Sequence, residues 1–185
     1  MNRKKNIVIV GLGNIGSYFY KYVNSNKKIL FNKTNSIPNI LYVSAKSKNK
    51  KRSFKIPKKK WLKNYLDAAK IKDVDIVIEL IGGSDGPAKK LVFLALKNKK
   101  HVITANKALV AKYGNQLAKI AEKNKVNFEF EAAVCGGMPI IKSIKEGLIA
   151  NKISKIYGVL NGTSNFILSL MDKKKNRFQH SSWGS

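Results

Sequence analysis

The stretch "NIVIVGLGNIGSYFY" constrains the fold more than any other part of the chain. Five residues of near-continuous β-branched character run into Gly11, Gly13 and Gly16, and a helical pattern follows directly. A strand that reads as apolar on both faces belongs inside a sheet covered from both sides. The G-x-G-x-x-G spacing between that strand and a helix assigns each glycine a task. Gly11 makes the tight turn, Gly13 lets the backbone approach a pyrophosphate, and Gly16 lets helix and strand pack closely. The helix that opens there offers unpaired N–H groups and a positive dipole end to phosphates. A dinucleotide is favoured over a purely structural turn because the strand and the helix flank the motif.

The same alternation continues along the chain. "ILYVSA", "VDIVIELIGG", "HVITA" and "VNFEFEAAV" read as four further strands. Between them, "GPAKKLVFLALKNKK" puts Leu91, Leu94 and Ala95 on one helical face, and "YGNQLAKIAEKNK" does the same with Leu117, Ile120 and Ala121. Strands alternating with helices give an α/β fold, a doubly wound parallel sheet of Rossmann type. With 185 residues there is room for one full domain and the beginning of a second. The connection "SKNKKRSFKIPKKKW" carries many charges and few core candidates, so it is expected to be an exposed, solvated loop.

Composition excludes several classes. No apolar stretch reaches the roughly 18 to 20 residues needed to span a bilayer, and the basic, glycine-interrupted N-terminus lacks the cleavage pattern of a secretory signal. Cys135 is the single cysteine, so neither an internal disulfide nor a thiolate zinc cluster is expected, and a reducing cytoplasm fits. The formal charge of +27 raises the question of nucleic acid. Its basic residues are overwhelmingly lysines scattered among asparagines, not arginines with stacking aromatics, and no nucleic-acid partner is expected.

The end of the second strand bears on cofactor choice. NAD sites of this type place an Asp or Glu there to accept the ribose 2′-hydroxyl. No acidic residue occurs before Asp67, and the strand runs instead into "SAKSKNKKR". Ser44, Lys46, Ser47 and Lys48 are therefore placed where donors can hold a 2′-phosphate, and NADP(H) is expected over NAD(H).

Ligands in such sheets lie beyond the carboxyl ends of the strands. There, Gly82 and Gly83 leave space for a nicotinamide ribose against the backbone, and Lys107 stands just past a strand end, directed into the same crevice. A lysine in a cationic or desolvated setting can exchange a proton with a substrate oxygen. Cys135, with no histidine near it in the sequence, reads as a buried structural cysteine.

The segments "GLGNIGS", "ELIGG", "VITANKALVAKYG", "FEAAVCGGMPIIKSI" and "LNGTSNFIL" occur in the order and at separations similar to those of homoserine dehydrogenase, over nearly all of residues 7 to 171. This resemblance implies NAD(P)-dependent interconversion of L-homoserine and L-aspartate 4-semialdehyde, in the route to threonine and methionine. It assigns Gly11, Leu12, Gly13, Asn14, Ile15 and Gly16 to the pyrophosphate, and Lys107 to the cofactor and catalytic region. Main-chain carbonyls of Glu131, Val134, Gly136 and Met138 would hold a monovalent cation such as sodium, which prefers oxygen ligands. Gly162 and Thr163 would border the substrate. Residues 1–135 would be the cofactor domain. Residues 136–171, with "ISKIYGVLNGTSNFILSLM" as first strand and helix, would begin an α+β substrate and dimerisation domain, and the full-length family is expected to form homodimers.

After Met171 the sequence "DKKKNRFQHSSWGS" departs from the family's continuation, so 172–185 reads as a tail outside the pattern. The carboxylates and second lysine that the resemblance leads one to expect do not follow. A frame slip in the lysine codons or a shortened gene would account for this. The expectation is a chain that binds NADP(H) with impaired turnover; the alternative is a stand-alone NADP(H)-binding module without turnover.

Overall fold

The computed structural model describes residues 3–159 and 162–174, and the tail beyond 174, including His180, lies outside the described residues. The chain divides into two compact units, Met1–Ser143 and Ile144–Ser185.

In the first unit, β1 (Arg3–Val10), β2 (Ser36–Ser44), β3 (Ile76–Glu79), β4 (His101–Thr104) and β5 (Phe128–Glu129) form one sheet in the order β2-β1-β3-β4-β5. Every pairing is parallel. The crossovers carry α1 (Asn14–Ser25) and α2 (Lys27–Thr34) before β2, α3 (Asp67–Lys70) before β3, α4 (Pro87–Lys97) before β4 and α5 (Lys107–Lys123) before β5. Two short helices, α6 (Glu131–Val134) and α7 (Ile140–Lys142), follow.

The apolar runs bury alternate side chains on opposite faces, as the two-residue period of a strand requires. Ile7, Ile9, Ile40 and Ile78 pack with Tyr20 and Val23 of α1, while Val8, Val10, Val77 and Val102 pack with α4 and α5. Leu91, Leu96, Leu109 and Leu117 are fully buried in the second cluster, each contributing about 1.5–3 kcal/mol. Leu91, Ala95, Leu117 and Ala121 lie in the core as their spacing implies, with Leu94 and Ile120 packed at its edge. Coverage thins at β4, where Val102 is buried but Ile103 is 38% exposed.

Several sequence expectations are corrected here. β2 begins at Ser36, and Pro38 sits within it; an edge strand tolerates a missing ladder donor. The fifth strand shrinks to Phe128–Glu129, because "EAAV" closes a helical turn in which Cys135 N–H donates to the Glu131 carbonyl at 3.3 Å. α5 starts at Lys107, ahead of the "YGNQ" window, because the Asn106 side chain caps it by accepting the Leu109 N–H at 3.1 Å. Cys135 is half-buried, not sealed in the core.

The basic connection after β2 is more than a solvated loop. Phe54, Ile56 and Trp61 pack against the α1-side cluster, and Phe54 stacks on Tyr20 with ring centroids 5.0 Å apart. Trp61 forms a parallel bridge with Val43 and so covers the outer edge of β2.

In the second unit, α8 (Gly162–Lys174) is the helix expected from "NGTSNFILSLM". The strand expected from "ISKIYGV" is absent among the described residues. Ile153, Ile156, Tyr157 and Val159 are exposed and outside any ladder. A strand is stable only when its backbone groups are paired by a neighbour, and no described residue of this unit supplies one.

Candidate functional site

The strand order reverses at β1, since the chain passes outward to β2 and then back to β3 on the other side. The carboxyl ends of β1 and β3 therefore part, and a crevice of about 930 Å³ opens there. Val10, Gly11, Leu12 and Gly13 line it from the end of β1, Ser44 to Ser47 from β2, and Leu80, Ile81 and Pro87 from the loop after β3. Lys50, Arg52, Lys63, Asn64 and Tyr65 close the side beneath β2.

The three glycines separate into two classes. Gly11 has φ of +109°, and a Cβ there would run into the Leu80 carbonyl. A Cβ at Gly16 would run into the Gly11 carbonyl. These two are explained by the protein itself. A Cβ at Gly13 would meet no atom within 4 Å, and its backbone conformation is open to any residue. The open space beside Gly13 is what a pyrophosphate would fill.

The first turn of α1 reinforces that reading. No side chain caps it, and it carries no acidic residue, so its N–H groups and dipole remain available to an anion. Leu12 turns its side chain into the core, whereas Asn14 and Ile15 are exposed and contribute the N–H groups of the opening turn. Lys46, Lys50, Arg52 and Lys63 bring four cations to the crevice wall, and no carboxylate is among its lining residues. Lys46 is on the crevice wall, whereas Lys48 faces the Trp61 ring, its Nζ 5.6 Å from the centroid. Arg52, Lys50 and Lys63 were not legible, being single cations in a uniformly basic stretch.

Beyond β3 a second set of contacts fixes the neighbouring loop. Glu79, fully buried at the strand end, accepts N–H from Ile81 at 2.7 Å and Gly82 at 3.1 Å, and the Thr104 hydroxyl at 2.5 Å. Asn106 donates its side-chain amide to the Gly83 carbonyl at 2.7 Å. Asp85 then ties the loop to α5, accepting from Tyr113 at 2.6 Å and Lys112 at 2.8 Å. Hydrogen bonds from Lys112, then Tyr113 and Ser84, hold the Asp85 carboxyl well below the usual carboxylate range. Gly82 and Gly83 both have positive φ, which permits the turn.

Lys107 is exposed at the start of α5, past the end of β4. It stands on the same carboxyl edge of the sheet, but the crevice wall contains neither Lys107 nor Gly82 or Gly83, because the crevice spans β2, β1 and β3. Among the carbonyls expected to hold a cation, those of Glu131 and Met138 accept N–H from Cys135 and Ile140, at 3.3 and 2.9 Å. The Glu131 carboxylate instead caps α7 through Ile141 and Lys142 N–H at 3.0 and 2.9 Å. Gly162 opens α8 in the second unit, followed by Thr163, whose side chain lies outside the described residues. No helix among the described residues is long and apolar enough to cross a membrane.

Comparison with known proteins agrees with this geometry. Residues 11–131 match the model of the homoserine dehydrogenase NAD binding domain, and residues 139–181 match that of homoserine dehydrogenase itself. The homoserine dehydrogenase of Neisseria gonorrhoeae is 43% identical over 173 residues, covering 94% of this chain and 39% of its own length. That of Bacillus subtilis is 40% identical over 171 residues, covering 92% and 39%. The crystal structure of a homoserine dehydrogenase from Thiobacillus denitrificans superimposes with a TM-score of 0.77 at 38% identity, covering 94% of this chain and 40% of that one. The chain thus spans about two fifths of the length of these relatives. A glycine turn at the switch point of a parallel sheet, matched by the family's NAD binding domain, makes this chain a member of the homoserine dehydrogenase family.

Proposed function

We propose that this chain binds NADP(H) in the crevice at the end of β1 and serves the interconversion of L-homoserine and L-aspartate 4-semialdehyde, in threonine and methionine biosynthesis. The observation that carries the cofactor reading is a crevice wall with four cations and no carboxylate, beside a glycine whose missing side chain no protein atom explains. The substrate reading rests on family membership.

The chain's own residues take distinct parts. The α1 N-terminus and the backbone at Gly11 to Gly16 hold the pyrophosphate. Lys46 meets the 2′-phosphate as a point charge, with Lys50 and Lys63 strengthening the local field. The rigid loop at Gly82 and Gly83 carries the nicotinamide end. When bound, the cofactor supplies or accepts the hydride exchanged with the carbon that is aldehyde in one substrate and alcohol in the other. Lys107 holds the cofactor end and moves the proton to or from the substrate oxygen. Gly162 and Thr163 border the substrate. The carbonyls of Glu131, Val134, Gly136 and Met138 would hold a monovalent cation such as sodium. The family's homodimeric assembly and a cytoplasmic location belong to the same reading.

The test is a fluorescence titration of the purified chain with NADPH and NADH, followed by a homoserine oxidation assay on the same sample. Tighter NADPH binding, with turnover that disappears in Lys107→Ala, supports the reading. A preference for NADH overturns the assignment of the β2 end, and NADPH binding without turnover leaves a binding module.

A further inference from the structure

Arg52 lines the crevice at the end of β2, yet its guanidinium is committed to the loop that carries it. Nη1 donates to the carbonyls of Lys48 at 3.0 Å and Lys50 at 2.9 Å, and Nη2 to that of Ser47 at 3.0 Å. The guanidinium carbon lies 5.3 Å from the centroid of the Trp61 ring. Trp61 is itself fixed, because it bridges to Val43 and the next residue, Leu62, donates its N–H to the Val43 carbonyl at 2.9 Å. Arg52 Nε is buried and has no hydrogen-bonding partner among the described residues. A side chain that spends three of its N–H groups on three carbonyls of one turn acts on that turn first.

The turn needs such a device. Lys46, Lys48, Lys50 and Lys51 put four like charges into six residues of sequence, and their mutual repulsion works against closing the turn. Its backbone closure is a single long hydrogen bond, Lys50 N–H to the Ser47 carbonyl at 3.3 Å. Lysine at position 52 would retain the charge but carries one donor nitrogen in place of the two that Arg52 spreads over the three carbonyls.

We propose that Arg52 is a positioning residue for cofactor selectivity: its fork, seated on Trp61, closes the Ser47–Lys50 turn and so fixes the Lys46 and Lys50 ammonium groups at the 2′-phosphate end of the crevice. The proposal rests on the reading of that end as the 2′-phosphate site. Arg52 acts through geometry, whereas Lys46 acts through charge.

Arg52→Lys, Arg52→Ala and Lys46→Ala separate these roles in the full chain. The readouts are NADPH and NADH affinities by fluorescence titration, and hydrogen exchange of the Lys50 amide without cofactor. Arg52→Lys is expected to weaken NADPH binding about tenfold, as much as Arg52→Ala, and to leave NADH binding within about twofold. Both Arg52 variants should exchange the Lys50 amide faster, and Lys46→Ala should weaken NADPH without changing exchange. Wild-type NADPH affinity in Arg52→Lys, or unchanged Lys50 exchange in Arg52→Ala, overturns the proposal. Equal affinity of the unmodified chain for the two cofactors overturns the NADP reading and the selectivity role with it. Faster exchange in the variants would then still show a turn held by Arg52, so the two failures are told apart.

Discussion

The Thr104 hydroxyl donates to the Glu79 carboxylate at 2.5 Å, joining the ends of β3 and β4 at a point where both residues are fully buried. The other carboxylate oxygen accepts the Ile81 and Gly82 N–H groups, and the Thr104 oxygen in turn accepts the Asn106 N–H at 3.0 Å. One buried acid thus sets the exit of the loop that leads to the candidate nicotinamide end.

Replacing that acid should therefore cost stability in proportion to the donors left unpaired. Glu79→Ala orphans three donors and is expected to lose roughly 3 kcal/mol in urea unfolding, while Glu79→Gln, which keeps one acceptor oxygen, should lose about 1 kcal/mol. Equal, small losses in both variants would mean that the loop satisfies its N–H groups another way.

The glycine turn predicts a dissociation of stability from binding. Gly16→Ala forces a methyl onto the Gly11 carbonyl and should destabilise the fold by about 1–3 kcal/mol. Gly13→Ala meets no protein atom and should cost about 1 kcal/mol or less, as an N-cap change. Its NADPH affinity should nonetheless fall by at least about tenfold, since the methyl would enter the space proposed for the phosphates. Thermal unfolding and cofactor titration on the same two variants decide it.

The architecture was legible because its signals are periodic. Ile7, Val8, Ile9 and Val10 alternate faces, and the helical rows at Leu91 and Leu117 repeat at the right interval, so strand order aside, the α/β class follows from the sequence. The β-branched and aromatic run at 126–134 misled because "EAAV" favours a helical turn once β5 has only one neighbour. Irregular spacing hid Phe54, Ile56 and Trp61, which join the core from a basic loop. Glu79 reads as the polar end of a strand, and the Asp85–Tyr113 contact links residues 28 apart with no motif between them. Such side chains acquire meaning only when folding brings their partners together.

Asp85 predicts a pH window. Its carboxyl is held low, first by the Lys112 hydrogen bond, then by Tyr113 and Ser84. A depressed carboxyl contributes stability that is present above its unfolded value, about 3.9, and is lost as pH falls toward and through the folded value. Lys112 is shifted upward, chiefly by Asp85, so its share disappears only above the ordinary lysine range. The difference in melting temperature between the unmodified chain and Asp85→Asn should be flat at neutral pH and shrink below about pH 4. The difference should be small, because both partners are about half exposed. A difference that grows on acidification would place the stabilising charge elsewhere.

The cations at the end of β2 predict how selectivity responds to salt and to charge reversal. The two cofactors differ by one phosphate ester at the ribose 2′ position, so interactions unique to NADPH are ionic and exposed to screening, whereas α1 as proposed would serve both through the shared pyrophosphate. Raising salt from about 0.05 to about 0.5 M should therefore weaken NADPH binding more steeply than NADH binding, narrowing the preference. Lys46→Asp goes further, because it exchanges an attraction for a repulsion and supplies the carboxylate that a ribose 2′-hydroxyl can bond. We expect NADPH affinity to fall by about two orders of magnitude and NADH affinity to hold or rise, inverting the preference. Parallel salt responses for the two cofactors, or an unaltered preference in Lys46→Asp, would move the adenosine end away from Lys46 and leave the cation-rich wall without a cofactor role.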